Sequence, residues 1–427
     1  MTPAAPATAV DVLVVGAGPA GLAAAHRLAR SQAGRVLVVE RDPAPGGLPL
    51  HCRHAGFGLR DQRRLLDGPH YARRWAAQAT RAGADLWCET TCLEWTGARA
   101  LLCTGPGGLR RVEARCVVLA TGCRERPRHA RLVPGTRPAG VLTTGSLQRL
   151  AALAGLRFGS RALVVGAERV SFSALLALRA AGVRVVAMTT EHPVPQAAPA
   201  LRWATATRLR VPVWTGTRVA ELHGTGRVTG VTVAAVDGTG VRRVACDTVI
   251  FTGDFVPDHE LARQGGLRID PRSRAPVVDG HQRTSRPGVF AAGNLLHAAE
   301  TAAVAAACGT EVAAAVLDHL RGEPWPDCEP LSIRVERPLL WVSPAAVRPG
   351  ETRVPHGHCI LRVAEPIAAA RIEVRQAGVV LATHRIRRAL PTLPVHLPTG
   401  WLGRLGPEGG AVVLRLAGRP PGPDAGG

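Results

Sequence analysis

The sequence predicts an α/β fold in which two βαβ units precede a β-rich C-terminal segment. The first unit is indicated by an apolar, β-branched run over residues 11–15, a glycine-rich turn and a second apolar run over residues 35–39. Strands that are buried on both faces have this continuous apolar character. The same order of elements returns from residue 161. After residue 328, short β-rich runs alternate with turn residues, which is typical of an all-β segment.

The turn of the first unit carries glycine at positions 16, 18 and 21 and is followed by a helical stretch over residues 22–30. Gly16 permits a tight turn, Gly18 lets the backbone approach a pyrophosphate, and Gly21 lets the helix pack closely on the strand. The free N–H groups at the start of the helix then face the phosphates. Glu40 ends the second run, where its carboxylate can accept hydrogen bonds from ribose hydroxyls. Together these features predict a Rossmann-like dinucleotide-binding unit.

The second unit repeats this order with a changed turn. A strand is expected over residues 161–165, a helix over 170–181 and a strand over 183–187. Glu168 replaces the second glycine of the turn, and Ser171 replaces the third. A carboxylate at the pyrophosphate position repels that group, and its side chain blocks close approach. The sequence therefore predicts a second Rossmann-like fold and puts NAD(P) binding to it in doubt.

The remaining elements complete this picture. Between residues 212 and 253, short β-rich runs separated by glycine turns predict a β-meander that completes the second unit. An alanine-rich helix is expected over residues 298–320, with acidic residues in its interior. A proline-bearing linker over residues 322–327 then separates the β-rich terminal segment.

Composition and charge narrow the classes of partner. The chain has 427 residues and a formal net charge of +21, and all of its basic residues other than histidine are arginine. The arginines are scattered and have no accompanying ladder of aromatic residues, so no nucleic-acid partner is expected. Absence of lysine excludes Schiff-base chemistry, which needs a primary amine. No membrane span is expected, because the sequence has no run of about 18 apolar residues. No secretory signal is expected either, because the start has no basic region. A cytoplasmic protein is therefore predicted.

The ten cysteines show neither a CxxC nor a CxC pair, which argues against zinc ribbons and common iron–sulfur spacings. His356, His358 and Cys359 suggest metal ligands at first sight. On a strand the two histidines would share one face and the cysteine would point away. Because no third ligand is evident, the sequence predicts no metal site here.

Five features together resemble the flavoproteins with two dinucleotide-binding domains that are related to the pyridine nucleotide-disulfide oxidoreductases, with a glutathione-reductase-like fold. They are the first glycine turn, Glu40, residues 45–47 (PGG), residues 118–122 (VLATG) and residues 287–294 (PGVFAAGN). Residues 46–58, 122–140 and 251–257 are most similar to the FAD-containing subunits of opine oxidase and hydrogen cyanide synthase.

The resemblance implies FAD as the cofactor. The cofactor-binding residues that it implies are Gly16, Gly18, Pro19, Ala20, Gly21, Glu40, Arg41, Gly46, Gly47, Ala120, Thr121, Gly122, Gly293 and Asn294. In the family, an aspartate at the position of Asn294 places its carboxylate on the ribityl chain of FAD. Asn294 is expected to keep a hydrogen bond to that chain but lacks the charge. The implied domains are residues 8–125 and 257–322 for FAD and 126–256 for an NAD(P)-binding-like fold. The resemblance does not cover the β-rich domain, which the residue pattern alone predicts over residues 328–420.

The resemblance also points to candidate catalytic residues. In the family, the stretch after the GG pair passes beside the flavin, which makes His51, Cys52 and His54 candidates for proton transfer or substrate contact. The alternative is a structural loop in which these side chains cap backbone groups. His297 and Glu300, at the start of the late helix, are expected near the flavin as well. For Glu300 the alternative is a charge at the N-terminus of that helix.

A departure from the family concerns sulfur chemistry. Cys52 stands alone after the GG pair. A thiolate–disulfide relay needs a second sulfur, so dithiol chemistry is not expected. Cys123, directly after the ATG element, is expected to be a small buried residue.

Three functions follow as alternatives. The first is an FAD-dependent oxidoreductase of dehydrogenase or oxidase type that acts on a small amine, amino acid or hydroxy acid. The second is an NAD(P)H-dependent flavin reductase that passes electrons to a partner. The third is a flavin-bearing structural subunit of a heteromeric dehydrogenase. A second flavoprotein subunit or a homo-oligomer is accordingly the expected assembly.

Overall fold

A computed structural model of the chain describes residues 6–154, 158–197, 199 and 209–418. Within these residues the helices, in chain order, are α1 (Pro19–Arg30), α2 (Gly68–Arg81), α3 (Thr144–Ala154), α4 (Arg169–Ala180), α5 (Glu260–Gln264) and α6 (Ala302–Leu320). The first strands are β1 (Ala7–Val15), β2 (Val36–Val39), β3 (Ala55–Phe57), β4 (Leu66–Asp67), β5 (Asp85–Trp87), β6 (Thr91–Gly97), β7 (Ala100–Gly105), β8 (Gly108–Leu119), β9 (Cys123–Glu125), β10 (Val141–Thr143), β11 (Arg161–Val165) and β12 (Arg184–Thr189). The later strands are β13 (Val213–Trp214), β14 (Thr217–His223), β15 (Gly230–Ala235), β16 (Arg242–Val244), β17 (Thr248–Phe251), β18 (Phe255–Pro257), β19 (Val289–Ala291), β20 (Leu331–Val335), β21 (Leu339–Ser343), β22 (Ala346–Val347), β23 (His358–Val363), β24 (Ala370–Gln376), β25 (Val379–Ile386), β26 (Val395–Pro398) and β27 (Val412–Leu416).

Two compact units divide the chain. The first is built from the described residues of the segments 1–50, 56–123 and 257–427, and the second from those of segments 51–55 and 124–256. The β-rich C-terminal segment thus belongs to the same compact unit as the first dinucleotide-binding fold.

The first unit is centred on a seven-stranded sheet with the order β5-β2-β1-β8-β7-β6, in which β19 also pairs with β8. The pairs from β5 to β8 and the β8–β19 pair are parallel, whereas β6 and β7 are antiparallel. Val15 and Ala291 both align with Leu119, so β1, β8 and β19 end at one edge. In open α/β sheets this carboxyl edge is where ligands bind.

Helices α1 and α6 of the first unit approach each other closely at Gly309. A Cβ atom added to Gly309 would lie 1.9 Å from the backbone oxygen of Ala20, so only glycine fits at this crossing. The α6 helix begins at Ala302, capped by Thr301, rather than at residue 298 as the sequence predicted. Thr301 is a favourable N-cap because its hydroxyl accepts a hydrogen bond from the backbone N–H of Val304.

Among the described residues, α6 is the one helix long and apolar enough to meet the length and composition of a membrane span. No span was expected from the sequence, because acidic residues interrupt this stretch. Cys308, Val312 and Val316 are buried against the rest of the unit. We interpret its apolar character as that of a core helix.

The second unit contains a parallel five-stranded sheet with the order β10-β17-β11-β12-β13. Beside it in the chain, β14, β15 and β16 form a three-stranded antiparallel sheet. The meander predicted over residues 212–253 is therefore shorter than expected. Its first and last runs, β13 and β17, join the parallel sheet instead, since both are apolar and can be buried on two faces.

The C-terminal segment of the first unit is a two-sheet β structure. One sheet has the order β22-β20-β27-β24-β25 and the other β21-β23-β26. Their inward residues, such as Ile333, Leu361 and Leu414, share one hydrophobic core that also buries Trp401. Shared burial between two sheet faces is the signature of a sandwich. The predicted fold class, two Rossmann-like folds and a β-rich C-terminal region, is confirmed.

Candidate functional site

The first glycine turn is tight at two positions and open at the third. Gly16 has φ +104°, and a Cβ there would lie 2.6 Å from the oxygen of Ala120. A Cβ on Gly21 would lie 1.9 Å from the oxygen of Gly16. By contrast, a Cβ on Gly18 would meet nothing within 4 Å. The turn therefore leaves open space at the one position where a phosphate group has to approach the backbone.

The start of α1 provides the matching donors. Gly18 is the N-cap of α1 and Pro19 occupies its first turn, with no side chain capping the helix. Its first N–H groups therefore stay available, and the positive end of the helix dipole favours an anion there. Gly47 lies over this position, because a Cβ on Gly47 would be 2.8 Å from the Cα of Gly18.

Glu40 is held beside the turn by backbone donors. Its Oε2 accepts a hydrogen bond from Ala17 N at 2.8 Å, and Oε1 accepts one from Asp42 N at 3.0 Å. The side chain is buried. Gly46 closes the same corner by donating its N–H to the oxygen of Ala17 at 2.8 Å. The carboxylate is thus fixed at the end of β2, as the binding of a ribose requires.

The later elements that the resemblance assigns to FAD converge on the same edge. Ala120 donates its N–H to Val15, and the hydroxyl of Thr121 donates to the oxygen of Asp258 at 2.7 Å. A Cβ on Gly293 would lie 2.5 Å from that of Ala20, which places the residue directly against α1. These contacts bring the carboxyl ends of β1, β8 and β19 together around the first glycine turn, and this region is called the cradle below.

Three predicted residues of this edge fit less directly. Gly122 has φ +77° and its oxygen accepts a hydrogen bond from Asp258 N at 2.9 Å, which fixes the loop, while a Cβ on Gly122 would meet nothing within 4 Å. Arg41 is exposed and forms an ion pair with Asp258, with its Nη1 atom 3.6 Å from Oδ2 of the carboxylate. The side-chain amide of Asn294 is paired with the backbone of Glu300. Its Oδ1 accepts a hydrogen bond from Glu300 N at 2.9 Å, and its Nδ2 donates one to the Glu300 backbone oxygen at 3.2 Å.

The two hydrogen bonds of Asn294 are ones that the aspartate expected here from the resemblance could not both make. A carboxylate could accept from the Glu300 N–H but could not donate to the Glu300 oxygen. The Glu300 carboxylate is itself buried in an ion pair with Arg362 of β23, at 2.7 Å. Both side chains therefore have structural partners in the loop that leads into α6.

The glycine turn of the second unit is closed by its own side chains. Glu168 is the N-cap of α4, and its side chain accepts a hydrogen bond from the backbone N–H of Ser171. The hydroxyl of Ser171 in turn accepts one from Glu168 N at 3.2 Å. A Cβ on Gly166 would lie 2.7 Å from both side chains. The carboxylate thus occupies the space and the donors that a pyrophosphate would use.

A second buried carboxyl lies near this turn and was missed in the sequence. Glu125 accepts hydrogen bonds from Gly145 N at 2.8 Å and from Gly253 N at 3.2 Å. Burial, reinforced by the charge of Glu168, raises the pKa of Glu125 to about 7. Two carboxyl groups, Glu125 and Glu168, therefore lie at this turn, with the guanidinium of Arg131 close enough to interact with both.

The three predicted catalytic residues lie in the second unit. Cys52 is buried, its thiol contacts Gln148 of α3 at 3.5 Å, and burial raises its pKa to about 12. His54 contacts the hydroxyl of Ser173 of α4 at 2.6 Å, and Gln148 donates to the same hydroxyl at 2.7 Å. A neutral thiol in this network is a poor nucleophile. His51, at the end of the 3₁₀ turn Leu48–His51, is buried as well.

The placement of His356 differs from its sequence interpretation. His356 lies in the 3₁₀ turn Pro355–Gly357 with φ +61°, not on a strand, so it does not share a strand face with His358. The side chains of His297, Cys308 and His356 instead converge. No sequence pattern signals this cluster, because its members come from three separated segments.

Comparison with known proteins agrees with this geometry. Residues 10–309 match the family described as pyridine nucleotide-disulphide oxidoreductase. One subunit of the opine oxidase of Agrobacterium tumefaciens (strain Ach5) is 29% identical over 317 residues, which is 66% of this chain and 61% of that protein. The alpha subunit of the sarcosine oxidase of Corynebacterium sp. (strain P-1) is 31% identical over 374 residues, 78% of this chain and 35% of that protein.

The chain therefore spans 61% and 35% of the lengths of these two relatives. Among solved structures, thioredoxin reductase of T. acidophilum superposes with a TM-score of 0.60 at 22% identity, covering 73% of this chain and 98% of that one. This likeness concerns the fold. The chain belongs to the pyridine nucleotide-disulphide oxidoreductase family.

Proposed function

We propose that this protein is an FAD-dependent oxidoreductase of dehydrogenase or oxidase type that takes electrons from a small amine, amino acid or hydroxy acid. The observation that carries the proposal is the contrast between the two glycine turns. The turn at Gly18 is open and flanked by free helix donors, whereas the turn at Gly166 is filled by Glu168.

The open cradle supports FAD as the bound dinucleotide. The backbone at Gly18 and the start of α1 would hold the pyrophosphate, and Glu40 would bind the ribose. When bound there, FAD supplies a two-electron acceptor for substrate oxidation. The chain's own contribution is to hold the glycine turn and Glu40 in place. Close packing that only glycine allows fixes the cradle at three positions, which are Gly16, Gly21 and Gly293.

The closed turn argues against NAD(P)H as the electron donor. A pyrophosphate would have to displace the Glu168 carboxylate from the N–H groups of α4 and from the hydroxyl of Thr252. Substrate-derived electrons are therefore favoured over a role as an NAD(P)H-dependent flavin reductase.

The relatives' names support the substrate class and an assembly. Two are named as subunits of oxidases of opines and of sarcosine. We infer a small amine or amino acid as the first substrate class to test, and a second subunit in a cytoplasmic complex. A flavin-bearing structural subunit, with the substrate chemistry in its partner, is the outcome to be distinguished from this.

Among the catalytic candidates, we propose His51 for proton transfer. For Cys52 and His54, whose side chains contact Gln148 of α3 and Ser173 of α4, we propose a structural role in that network. An imidazole can move a proton when its pKa lies near the working pH. Once an amine substrate has been identified, His51→Ala should slow the reduction of the flavin by that substrate while FAD stays bound. An unchanged rate of flavin reduction would contradict this role and leave His51 as a structural residue.

The test is an anaerobic absorbance spectrum of the purified full chain, before and after NADH, then NADPH, then a panel of small amines, amino acids and hydroxy acids. A flavin spectrum that bleaches with a panel member and persists with both nicotinamides supports the proposal. Prompt bleaching by NADH or NADPH contradicts it in favour of the reductase. A flavin that no compound bleaches, in a protein that co-purifies with a second subunit, favours the structural role.

A further inference from the structure

A cluster of two histidines and one cysteine lies in the first unit, apart from the glycine turn. His297 follows the 3₁₀ turn Gly293–Leu295, Cys308 lies on α6, and His356 lies in the C-terminal β-rich segment. One ligand atom from each residue lies within 4.8 Å of the other two. The three side chains line a cavity of about 10 Å³, which is about the volume that one water-sized body needs.

The imidazole nitrogens that face this cluster have no hydrogen-bond partners. His297 is 3% exposed, and neither of its ring nitrogens is hydrogen-bonded. Nε2 of His356 is likewise buried without a partner. Buried polar atoms are nearly always paired, and leaving one unpaired costs about 1–3 kcal/mol. Because both rings line the same cavity, a ligand bound there would satisfy one nitrogen of each imidazole.

Glu311 orients His356 in the manner of a metal-binding histidine. Its two carboxylate oxygens each accept a hydrogen bond from His356 N at 3.0 Å, and Oε2 lies 3.5 Å from Nδ1 of the same ring. Nε2 is thereby left to face the cavity. Histidine ligands typically have a carboxylate on the nitrogen that does not bind the metal. His356 is also held at φ +61°, a conformation that costs energy for a residue with a Cβ.

The sulfur of Cys308 is surrounded by donors. Gly293 N lies 3.1 Å from Sγ, and Gln282 Nε2 lies 3.0 Å from it. Two N–H groups directed at one sulfur stabilise a thiolate.

We propose that His297, Cys308 and His356 bind one thiophilic transition-metal ion, with zinc(II) as the reference metal. Two imidazoles and a thiolate suit zinc or copper, whereas calcium and magnesium prefer oxygen ligands. Ligand atoms on a tetrahedral zinc are roughly 3.3–3.8 Å apart, so shifts of about 1 Å or less would close the cluster. On binding, the ion exchanges water for two nitrogens and one sulfur. The Cys308 proton is released to solvent, and no oxidation state changes.

The site would join the C-terminal β sandwich to α6. His356 comes from the sandwich, while His297 and Cys308 come from the dinucleotide-binding part of the same unit. The ion would thus act as a structural clamp. This inference does not depend on the bound flavin or on the substrate.

The test is metal retention by the full chain. The purified protein is stripped with a chelator, loaded with Zn²⁺, passed through a desalting column and analysed for metal and flavin content. Parallel loadings with Co²⁺ and Cu⁺ distinguish the metals. The wild type is expected to retain about one equivalent of one of these ions, and each of His297→Ala, Cys308→Ser and His356→Ala to bind it at least about 100-fold more weakly. Cys359→Ser and His384→Ala, which change another buried cysteine and another histidine of the sandwich, should retain the wild-type amount.

Two further measurements keep the test decisive if a ligand variant fails to fold. Glu311→Gln leaves all three ligands in place and should weaken binding by about 10–100-fold. The cobalt-loaded wild type should show a sulfur-to-cobalt charge-transfer band in the difference spectrum against stripped protein. Retention of no ion above the level of a chelator-treated blank would overturn the proposal. Equal retention by the wild type and folded ligand variants would overturn it as well.

Discussion

The carboxylate of Glu168 is hydrogen-bonded to the hydroxyl of Thr252 at the glycine turn of the second unit. The same carboxylate caps α4 through the backbone N–H of Ser171. An intramolecular anion therefore occupies the place that a dinucleotide phosphate takes in a glycine-rich turn. This arrangement keeps the fold of an NAD(P)-binding unit while filling its phosphate site.

Restoring glycine at the two changed positions should reopen that site. In Glu168→Gly/Ser171→Gly, the affinity for NADPH or NADH is expected to rise at least about ten-fold, because one carboxylate and two obstructing side chains are removed. Fluorescence titration of the full chain measures this change. Glu191→Gly, which removes an exposed carboxylate of the same unit, is the matched control and should behave like the wild type. Equal, undetectable binding in both variants would show that another feature closes the site.

Glu125 should make stability depend on pH. Its pKa is about 7 in the folded protein and near 4.5 when it is free, so the folded state binds the proton more tightly. The free energy of unfolding should therefore fall as pH rises from about 4.5 to 7, by up to about 3 kcal/mol. Glu125→Gln should remove this contribution and raise the thermal midpoint at pH 8 relative to the wild type.

Thermal midpoints of the wild type, Glu125→Gln and Glu191→Gln between pH 5 and 8 test this expectation. Glu191 is exposed, so its replacement should leave the pH profile unchanged. The same slope in Glu125→Gln as in the wild type would contradict the role given to this carboxyl.

Local contacts in the glycine turns could be predicted from the sequence. The roles of Gly16 and Gly21 were predictable, because both depend on the conformation of the turn itself. The closure by Glu168 was equally local. The pairing of Asn294 with Glu300 was not, because a side-chain amide can serve a ligand or its own loop equally well.

Long-range convergence was harder to predict. The metal cluster unites His297 with His356, which lies in a part of the chain that the residue pattern predicts only as β-rich. The strand-face argument for His356 and His358 was wrong since a tight turn, which the Val-Pro-His-Gly sequence permits, replaces the strand there. Such contacts depend on how separated segments pack, and residue spacing alone contains no information about that.

The open position at Gly18 should be essential for FAD retention. Gly18→Glu places a carboxylate where the pyrophosphate would bind, so the purified variant should hold less than about 0.1 equivalent of flavin. The ratio of visible flavin to protein absorbance measures this. Gly226→Glu is the matched control, because a Cβ at Gly226 also meets nothing within 4 Å. A Gly18→Glu protein as yellow as the control would disprove the assignment of the first turn.

Cys92 and Cys103 should form a disulfide on mild oxidation. They lie opposite each other on the antiparallel strands β6 and β7, with their sulfur atoms 3.3 Å apart. Short CxxC or CxC spacings do not reveal this pair, because its members come from two different strands. Hydrogen bonding from Cys92 lowers the pKa of Cys103, which favours its thiolate as the attacking sulfur. A disulfide needs a sulfur–sulfur distance of about 2.05 Å, so a small side-chain rotation is sufficient.

Diamide supplies the oxidant for this reaction, since it takes up the two hydrogen atoms that the thiols lose. Peptide mapping without reductant should detect one Cys92–Cys103 cross-link, and the oxidised protein should be more stable by about 2 kcal/mol. Cys92→Ser should abolish the cross-link, whereas Cys88→Ser, in the preceding turn, should leave it intact. If the wild type gains no cross-link under conditions that oxidise an exposed thiol such as Cys328, the sulfur atoms of Cys92 and Cys103 are held apart in solution and the pair is not redox-active.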